Sequence, residues 1–171
     1  KWYRPDLQGI VVVGFLRVDA IVQKNGGDLR APMRIKGALF WALEDSKGKN
    51  GHLFLTSEAL QKEALQLLNA KIPIPSLRLH AQEVSDVLED MILHGEVVSV
   101  KGDIYLPRVF AQEDETARRI AMRVVEPPAP EKIEQILEQV KREIGLALSS
   151  KQEAAVYATY RHNLSIITGS P

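Results

Sequence analysis

The chain has 171 residues, enough for one large or two small domains, and its hydrophobic content of 45% suits packed cores. Lysine and arginine number 22, and so do aspartate and glutamate, so the net charge of zero gives no overall signature of nucleic-acid binding. The lack of cysteine excludes disulfides and thiolate metal sites and fits a reducing compartment. No apolar run approaches the length of a membrane span, so we expect a cytoplasmic protein without a membrane partner.

The charges are distributed unevenly along the chain. Residues 1–50 carry nine basic and five acidic side chains, a net charge of +4, whereas residues 51–126 carry eight and twelve, a net charge of −4. Residues 127–171 are balanced, with five of each. Because phosphate is contacted mainly by lysine and arginine, any DNA contact is predicted in the first third of the chain.

The first segment, residues 6–24, is apolar and contains two glycines. Residues 10–13 alone indicate a buried strand, and the alternative is a helix-hairpin-helix whose second helix begins at about Phe15. Such hairpins direct backbone N–H groups at phosphate without reading bases, which makes Gly14 and Arg17 candidate DNA contacts. A purely structural role for this segment remains the alternative.

A second helix is predicted with Pro32 in its first turn. Arg34 and Lys36 follow in this basic part of the chain and are further candidate DNA contacts. Trp41 is expected in the core, with stacking on a base as the alternative. The polar, glycine-containing stretch 45–50 is predicted to be a loop that ends this helical part.

Residues 51–126 predict a winged-helix-like unit. The expected elements are a helix capped by Thr56 or Ser57, a helix from His80 to Leu93, a β-hairpin across residues 97–106 and a helix through Ala111 and Val124. The second helix of such a unit often binds DNA, but here its exposed residues are mainly acidic: Gln82, Glu83, Asp86, Glu89 and Asp90. Because phosphate repels such a surface, protein docking or scaffolding is expected of this helix.

The basic stripe formed by Arg118, Arg119 and Arg123 is predicted to be a solvated helix face. A stiff proline-rich linker at residues 126–130 follows, and then an amphipathic helix begins near Ile133.

The end of the chain contains a helix start and a second apolar run. Ser149 or Ser150 can cap a helix in a box with Gln152 or Glu153. Residues 164–167 have the composition of a buried strand and lead into Thr-Gly-Ser-Pro. This ending fits an ordinary strand and turn, and it also fits the start of a phosphate-binding loop with Gly169 as its first glycine.

These stretches resemble RecD-like superfamily 1 DNA helicases of the exodeoxyribonuclease V alpha-chain type. The resemblance runs from about Tyr3 to Pro171, and the matching residues are Gly14, Phe15 and Asp19, then Arg34-Ile35 with Gly37-Ala38, Gly51–Leu55 and Gln152–Pro171. Val12 departs from the family, because it stands where the hairpin usually has its first glycine. A β-branched residue tolerates the positive φ of such a position badly.

The resemblance implies an ATP-dependent 5′→3′ DNA helicase of DNA repair or recombination, of which the chain is the N-terminal accessory region. It implies that Gln152 reads adenine and that Gly169, Ser170 and Pro171 open the phosphate loop. ATP and Mg²⁺ are then expected in the full-length protein and neither in this chain alone, which lacks the lysine of the loop and is expected to be inactive. The alternative for Gln152 is a purely capping role with Ser149.

The predicted fold is mainly α with a small β-hairpin, in four parts. These are a helix-hairpin-helix-like domain (1–50), a winged-helix-like domain (51–126), a linker with an amphipathic helix (127–148) and the first helix and strand of a helicase motor (149–171). The expected partners are single-stranded or junction DNA bound without sequence preference, the rest of the motor and other repair proteins. The competing hypothesis is a non-enzymatic DNA- or protein-binding adaptor, and a different P-loop ATPase is the third. No catalytic constellation is visible in the sequence, and the four histidines lack metal-ligand spacing.

Overall fold

The computed structural model describes residues 14–124, 133–145 and 147–169. These residues are mainly helical with a small antiparallel sheet, which confirms the predicted fold class. The helices are α1 (Phe15–Lys24), α2 (Pro32–Asn50), α3 (Ser57–Asn69), α4 (Ala81–Leu93), α5 (Pro107–Arg123), α6 (Ile133–Ile144) and α7 (Ser150–Arg161), and the strands are β1 (Phe54–Thr56), β2 (Val98–Val100) and β3 (Asp103–Tyr105). The chain divides into one unit that ends at Gln112 and a second that begins at Glu113.

The core of the first unit is built from the apolar faces of α2, α3 and α4. Leu39, Leu60 and Leu88 are each at most 2% exposed within it. Phe15 of α1 and Val109 of α5 belong to the same cluster of buried side chains. The helices on both sides of the predicted boundary at residue 50 therefore share one hydrophobic core.

The helix α2 continues through the stretch that was predicted as a loop, residues 45–50. Lys49 Nζ donates a hydrogen bond to Asp45 Oδ2 one turn away at 2.8 Å, and such pairs support helix at polar positions. The helix ends only where Gly51 takes a left-handed conformation with φ of +71°, as a C-terminal glycine commonly does. The loop prediction at 45–50 is therefore wrong.

The β-sheet has the strand order β1-β3-β2. The predicted hairpin is formed by β2 and β3, and both turn residues, Lys101 and Gly102, have positive φ, which suits the twist of a tight hairpin. The strand β1 was not predicted. It pairs with the other edge of β3, where the rings of Phe54 and Tyr105 lie 5.0 Å apart between centroids.

The first predicted hairpin is only partly described. Its second helix is present as α1, which begins at Phe15 as predicted. The segment 10–13, with Val12, lies outside the described residues, and so does the proline-rich linker at 126–130.

In the second unit the predicted amphipathic helix is present as α6, which buries Ile133 and Leu137 on one side. The buried strand predicted at residues 164–167 is wrong, because these residues form no strand and Ile166 is 86% exposed. A strand forms only when hydrogen-bonding partners lie beside it, and the described strands all pair in the sheet of the first unit.

Candidate nucleic-acid interface and nucleotide-binding segment

The start of α1 presents two of the predicted DNA contacts. Gly14 is the N-cap residue of α1, and its carbonyl accepts a hydrogen bond from the backbone N–H of Arg17 at 2.9 Å. The Arg17 side chain is exposed. Gly14 lies over Trp41, since a Cβ atom at Gly14 would be 3.6 Å from the indole ring, and Trp41 is half-buried against the core. Arg17 is thus placed where a phosphate could reach it, beside the N-terminal end of a helix.

Arg34 lies inside the core, with only 1% of its surface exposed. Its Nε donates to Asp19 Oδ1 at 2.6 Å and its Nη2 donates to Asp19 Oδ2 at 2.8 Å, which makes a bidentate pair between α2 and α1. The guanidinium also donates to the carbonyl oxygens of Leu29 at 2.8 Å and Leu68 at 2.7 Å. This position corrects the prediction of a DNA contact at Arg34, because the side chain would have to leave the core to reach a phosphate.

Lys36, also a predicted DNA contact, forms ion pairs within the fold. Its Nζ lies 2.6 Å from Glu96 Oε1 and 3.0 Å from Asp90 Oδ2, and only 16% of the side chain is exposed. The hydrogen bond with Glu96, followed by that with Asp90, raises the pKa of Lys36. In turn the hydrogen bond from Lys36 lowers the pKa of Asp90. Two carboxylates thus neutralise the charge of Lys36, so this side chain attracts a DNA phosphate only weakly.

The acidic helix α4 is partly neutralised by basic residues of the first third of the chain. Glu83 accepts a hydrogen bond from Arg30 Nε at 2.8 Å, and Asp90 is held by Lys36. Asp86 and Glu89 stay exposed on the same helix. Part of the net positive charge of residues 1–50 is therefore neutralised by ion pairs within the fold.

Two of the three arginines in the basic stripe on α5 are paired along their own helix. Arg118 lies 2.8 Å from Asp114 and Arg119 lies 2.7 Å from Glu115, and all four side chains are substantially exposed. Exposed pairs of this kind contribute about 0.3–0.5 kcal/mol. The arrangement agrees with the prediction of a solvated helix face.

Gln152 stands in the first turn of α7. Its backbone N–H donates to Ser149 Oγ at 3.4 Å, while its Oε1 accepts from the backbone N–H of Ser149 at 2.8 Å. This reciprocal pair is a capping box, so the predicted capping role is confirmed. The Gln152 side chain is exposed, and a role in reading adenine stays a prediction.

A lysine ties the two helices of the second unit together next to this box. Lys141 Nζ of α6 lies 2.7 Å from Glu138 Oε1 and 2.6 Å from Glu153 Oε1 of α7. The hydrogen bonds with these two carboxylates, that of Glu138 first, raise the pKa of Lys141. The first turn of α7 is thus fixed both by its cap and by a neighbouring helix.

The predicted phosphate-loop residues are only partly described. Gly169 is exposed, and apart from its chain neighbours no residue lies within 4 Å of the place a Cβ would occupy; Ser170 and Pro171 lie outside the described residues. The loop pattern also needs a second glycine, a lysine and a hydroxyl residue after Gly169. The described residues therefore hold no phosphate cradle, and within them no cluster of ligating side chains suited to a metal ion is found.

No protein-family model matches the chain. Over 163 residues the chain is 27% identical to the ATP-dependent RecD2 DNA helicase of Deinococcus radiodurans. It is similar to a RecD-like helicase. The match covers 93% of this chain and 23% of that protein, so the chain spans less than a quarter of the relative's length. The similarity supports the relationship to RecD-like helicases that the sequence motifs indicated.

The structure places the predicted site residues in very different surroundings. Arg17 is exposed at the start of α1, whereas Arg34 and Lys36 are held by carboxylates. Gln152 belongs to the second unit, at the capped start of α7.

None of the helices in the described ranges combines the length and apolar character that crossing a membrane requires.

Proposed function

We propose that the chain is the N-terminal accessory region of an ATP-dependent 5′→3′ DNA helicase of DNA repair or recombination. The observation that carries the proposal is the similarity to a RecD2 DNA helicase along 93% of the chain. Gln152, exposed in the first turn of α7, stands at the residue that corresponds to the adenine-reading glutamine of the family, and its capping box with Ser149 is also what a purely capping residue would form.

In this proposal the chain contributes no chemistry by itself. ATP and Mg²⁺ would be bound by the motor, for which Gln152 and residues 169–171 supply the adenine contact and the opening of the phosphate loop. The first unit would add weak, non-specific contact with single-stranded or junction DNA and a docking surface for the motor or for other repair proteins. Its arrangement of helices followed by a β-hairpin supports a winged-helix-like scaffold for that role.

The helicase proposal is tested with the protein encoded by the complete gene. The residues after Gly169 are expected to complete the pattern of a glycine, four residues and Gly-Lys-Ser/Thr. The purified protein is expected to hydrolyse ATP faster when single-stranded DNA is added and to unwind a duplex that has a 5′ tail. A continuation without Gly-Lys, or a protein whose ATP hydrolysis does not respond to DNA, would contradict the proposal.

We expect the chain alone to bind DNA weakly, without sequence preference and with a steep dependence on salt. Arg17→Ala should reduce the slope of log K against log salt on a single-stranded oligonucleotide by roughly 0.7, the contribution of one phosphate contact. Arg118→Ala is the matched control, because Arg118 is already paired with Asp114 on its own helix. Fluorescence anisotropy across a salt series measures both slopes.

Tight binding that does not change with salt, or binding that depends on base sequence, would contradict this expectation. So would an equal loss of slope for the two variants. Arg34 is unsuited to this experiment because its replacement removes a core ion pair, which changes the fold along with the charge.

A non-enzymatic adaptor is the second candidate function. The observation that favours it is the exposure of Asp86 and Glu89 on α4, a surface that repels phosphate and suits a basic protein partner. ATP hydrolysis by the complete protein separates the two candidates, because an adaptor would show none.

A further inference from the structure

Lys141 connects α6 to the residue that follows Gln152 in the chain. Lys141 lies in the last turn of α6, and Glu153 lies in the first turn of α7. The Lys141 Nζ is 2.6 Å from Glu153 Oε1 and 2.7 Å from Glu138 Oε1 on its own helix. Only 20% of the Lys141 side chain and 30% of the Glu153 side chain are exposed, so solvent screens this contact less than it screens the exposed pairs on α5.

The two helix ends favour this contact. A lysine is stabilised at the C-terminal end of a helix and a glutamate at the N-terminal end, because the ends carry partial charges of opposite sign. The hydrogen bonds with Glu138 and Glu153 also raise the pKa of Lys141. Its side chain is therefore charged at neutral pH, where it holds the start of α7 against α6.

The contact at Glu153 restricts the direction in which Gln152 points. Successive residues of an α-helix are about 100° apart around the helix axis. While Glu153 is held by Lys141, α7 cannot rotate about its axis, and Gln152 stays on the neighbouring side of the helix. The capping box with Ser149 fixes where the helix begins, so the box and the ion pair constrain the same turn in different ways.

The capping box leaves part of the Gln152 amide free for a ligand. Its Oε1 accepts one hydrogen bond, from the backbone N–H of Ser149 at 2.8 Å, and a carbonyl oxygen can accept a second. The side chain is exposed, and within the described part of the chain its Nε2 has no hydrogen-bond acceptor. Adenine can therefore donate its amino N–H to Oε1 while Nε2 donates to a ring nitrogen.

We propose that Lys141 is a positioning residue for Gln152, which by holding Glu153 keeps the Gln152 amide in the orientation that binds adenine. Lys141 acts through α7 and does not touch the nucleotide. Hydrogen bonds from such a supporting residue are what hold a binding side chain in its productive geometry. The inference rests on the proposed function, because it needs a nucleotide site at Gln152.

The test is the ATPase activity of the full-length protein in the presence of single-stranded DNA. Lys141→Met removes the charge and keeps an unbranched side chain, and we expect it to raise the KM for ATP about threefold, as the loss of a partly shielded ion pair predicts. The kcat should stay unchanged, and so should the KM for GTP, because guanine lacks the amino group that Gln152 would read. Loss of folded protein alone would lower the apparent kcat for both nucleotides and leave each KM as it was.

Three further variants locate the effect. Lys141→Arg should keep the KM for ATP near that of the unaltered protein, because a guanidinium can also bind both carboxylates. Glu153→Gln should act like Lys141→Met, and combining the two changes should add little to either one. Glu134→Gln is the matched control, because Glu134 of α6 lies 3.8 Å from Arg161 at the other end of α7, and we expect it to leave the KM unchanged.

An unchanged KM for ATP in Lys141→Met would overturn the positioning role, as would an equal rise in the KM for GTP or an equal effect of Glu134→Gln. Failure of the proposed function gives a different result. A full-length protein that hydrolyses no ATP would overturn both proposals. If Gln152→Glu raised the KM for ATP and Lys141→Met did not, only the positioning role would be overturned.

Discussion

Arg34→Ala is expected to lower the free energy of unfolding by about 3–5 kcal/mol, the cost of removing one partner from a buried ion pair. The variant leaves the Asp19 carboxylate, 5% exposed, without its guanidinium. It also removes the hydrogen bonds to the carbonyl oxygens of Leu29, in the turn before α2, and of Leu68, in the following helix α3. Urea unfolding followed by circular dichroism measures the loss.

The matched control for this prediction is Arg119→Ala. Arg119 is 75% exposed and pairs with Glu115 on the same helix, so its loss should cost only about 0.3–0.5 kcal/mol. Arg34→Lys should cost an intermediate amount, since an ammonium keeps the charge but not the bidentate geometry. If Arg34→Ala were no more costly than Arg119→Ala, the pair would not be a structural element of the core.

The double variant Asp19→Ala/Arg34→Ala adds a second criterion. Each single change leaves one buried charge without its opposite charge, whereas the double change removes both charges together. The double variant should therefore cost clearly less than the sum of the two single variants. Additive costs would show that the two side chains do not stabilise each other.

Gln152→Glu in the full-length protein is expected to raise the KM for ATP by about tenfold, a free-energy difference of roughly 1.4 kcal/mol. The glutamate keeps the capping box and suits a helix N-terminus, because its negative charge is attracted to the positive end of the helix dipole. It loses the amide N–H that can donate to a ring nitrogen of adenine while the carbonyl accepts from the amino group. The same change should reduce the preference for ATP over GTP.

Two further variants separate reading of adenine from capping. Gln152→Ala removes both functions, so it should raise the KM and also lower stability. Ser149→Ala removes the hydroxyl acceptor of the cap and costs about 1 kcal/mol of stability, but the amide remains and the KM should stay near that of the unaltered protein. Steady-state ATPase kinetics with thermal unfolding of each variant give both readouts. An unchanged KM and nucleotide preference in Gln152→Glu would mean that Gln152 only caps α7.

Short-range signals in the sequence predicted most of the helices correctly. Pro32 stands at the first turn of α2, and Ser149 and Gln152 cap α7 as their spacing indicated. The turn at Lys101 and Gly102 joins the predicted hairpin strands. Each of these signals depends on backbone groups a few residues away, so the sequence alone determines them.

The tertiary structure decided that the polar stretch at the end of α2 is helical. The polar stretch 45–50 is locally typical of a loop, yet it stays helical, and Ser46 within it is buried. The opposite error occurred at residues 164–167, where an apolar composition predicted a buried strand. Composition describes what a segment can form, whereas strand pairing and burial require neighbours that the local sequence does not specify.

In the candidate nucleic-acid interface, too, the sequence determined some features and the tertiary structure decided others. The sequence determined how many basic residues the first third contains, and the motifs it shares with RecD-like helicases. The sequence did not determine which of those basic residues remain available to contact DNA. Arg34 is neutralised by Asp19, and Lys36 by Asp90 and Glu96, which lie far along the chain on or just after another helix. Because Coulomb attraction and desolvation depend on distances in space, only the folded arrangement decides which cations face solvent and which hold the core together.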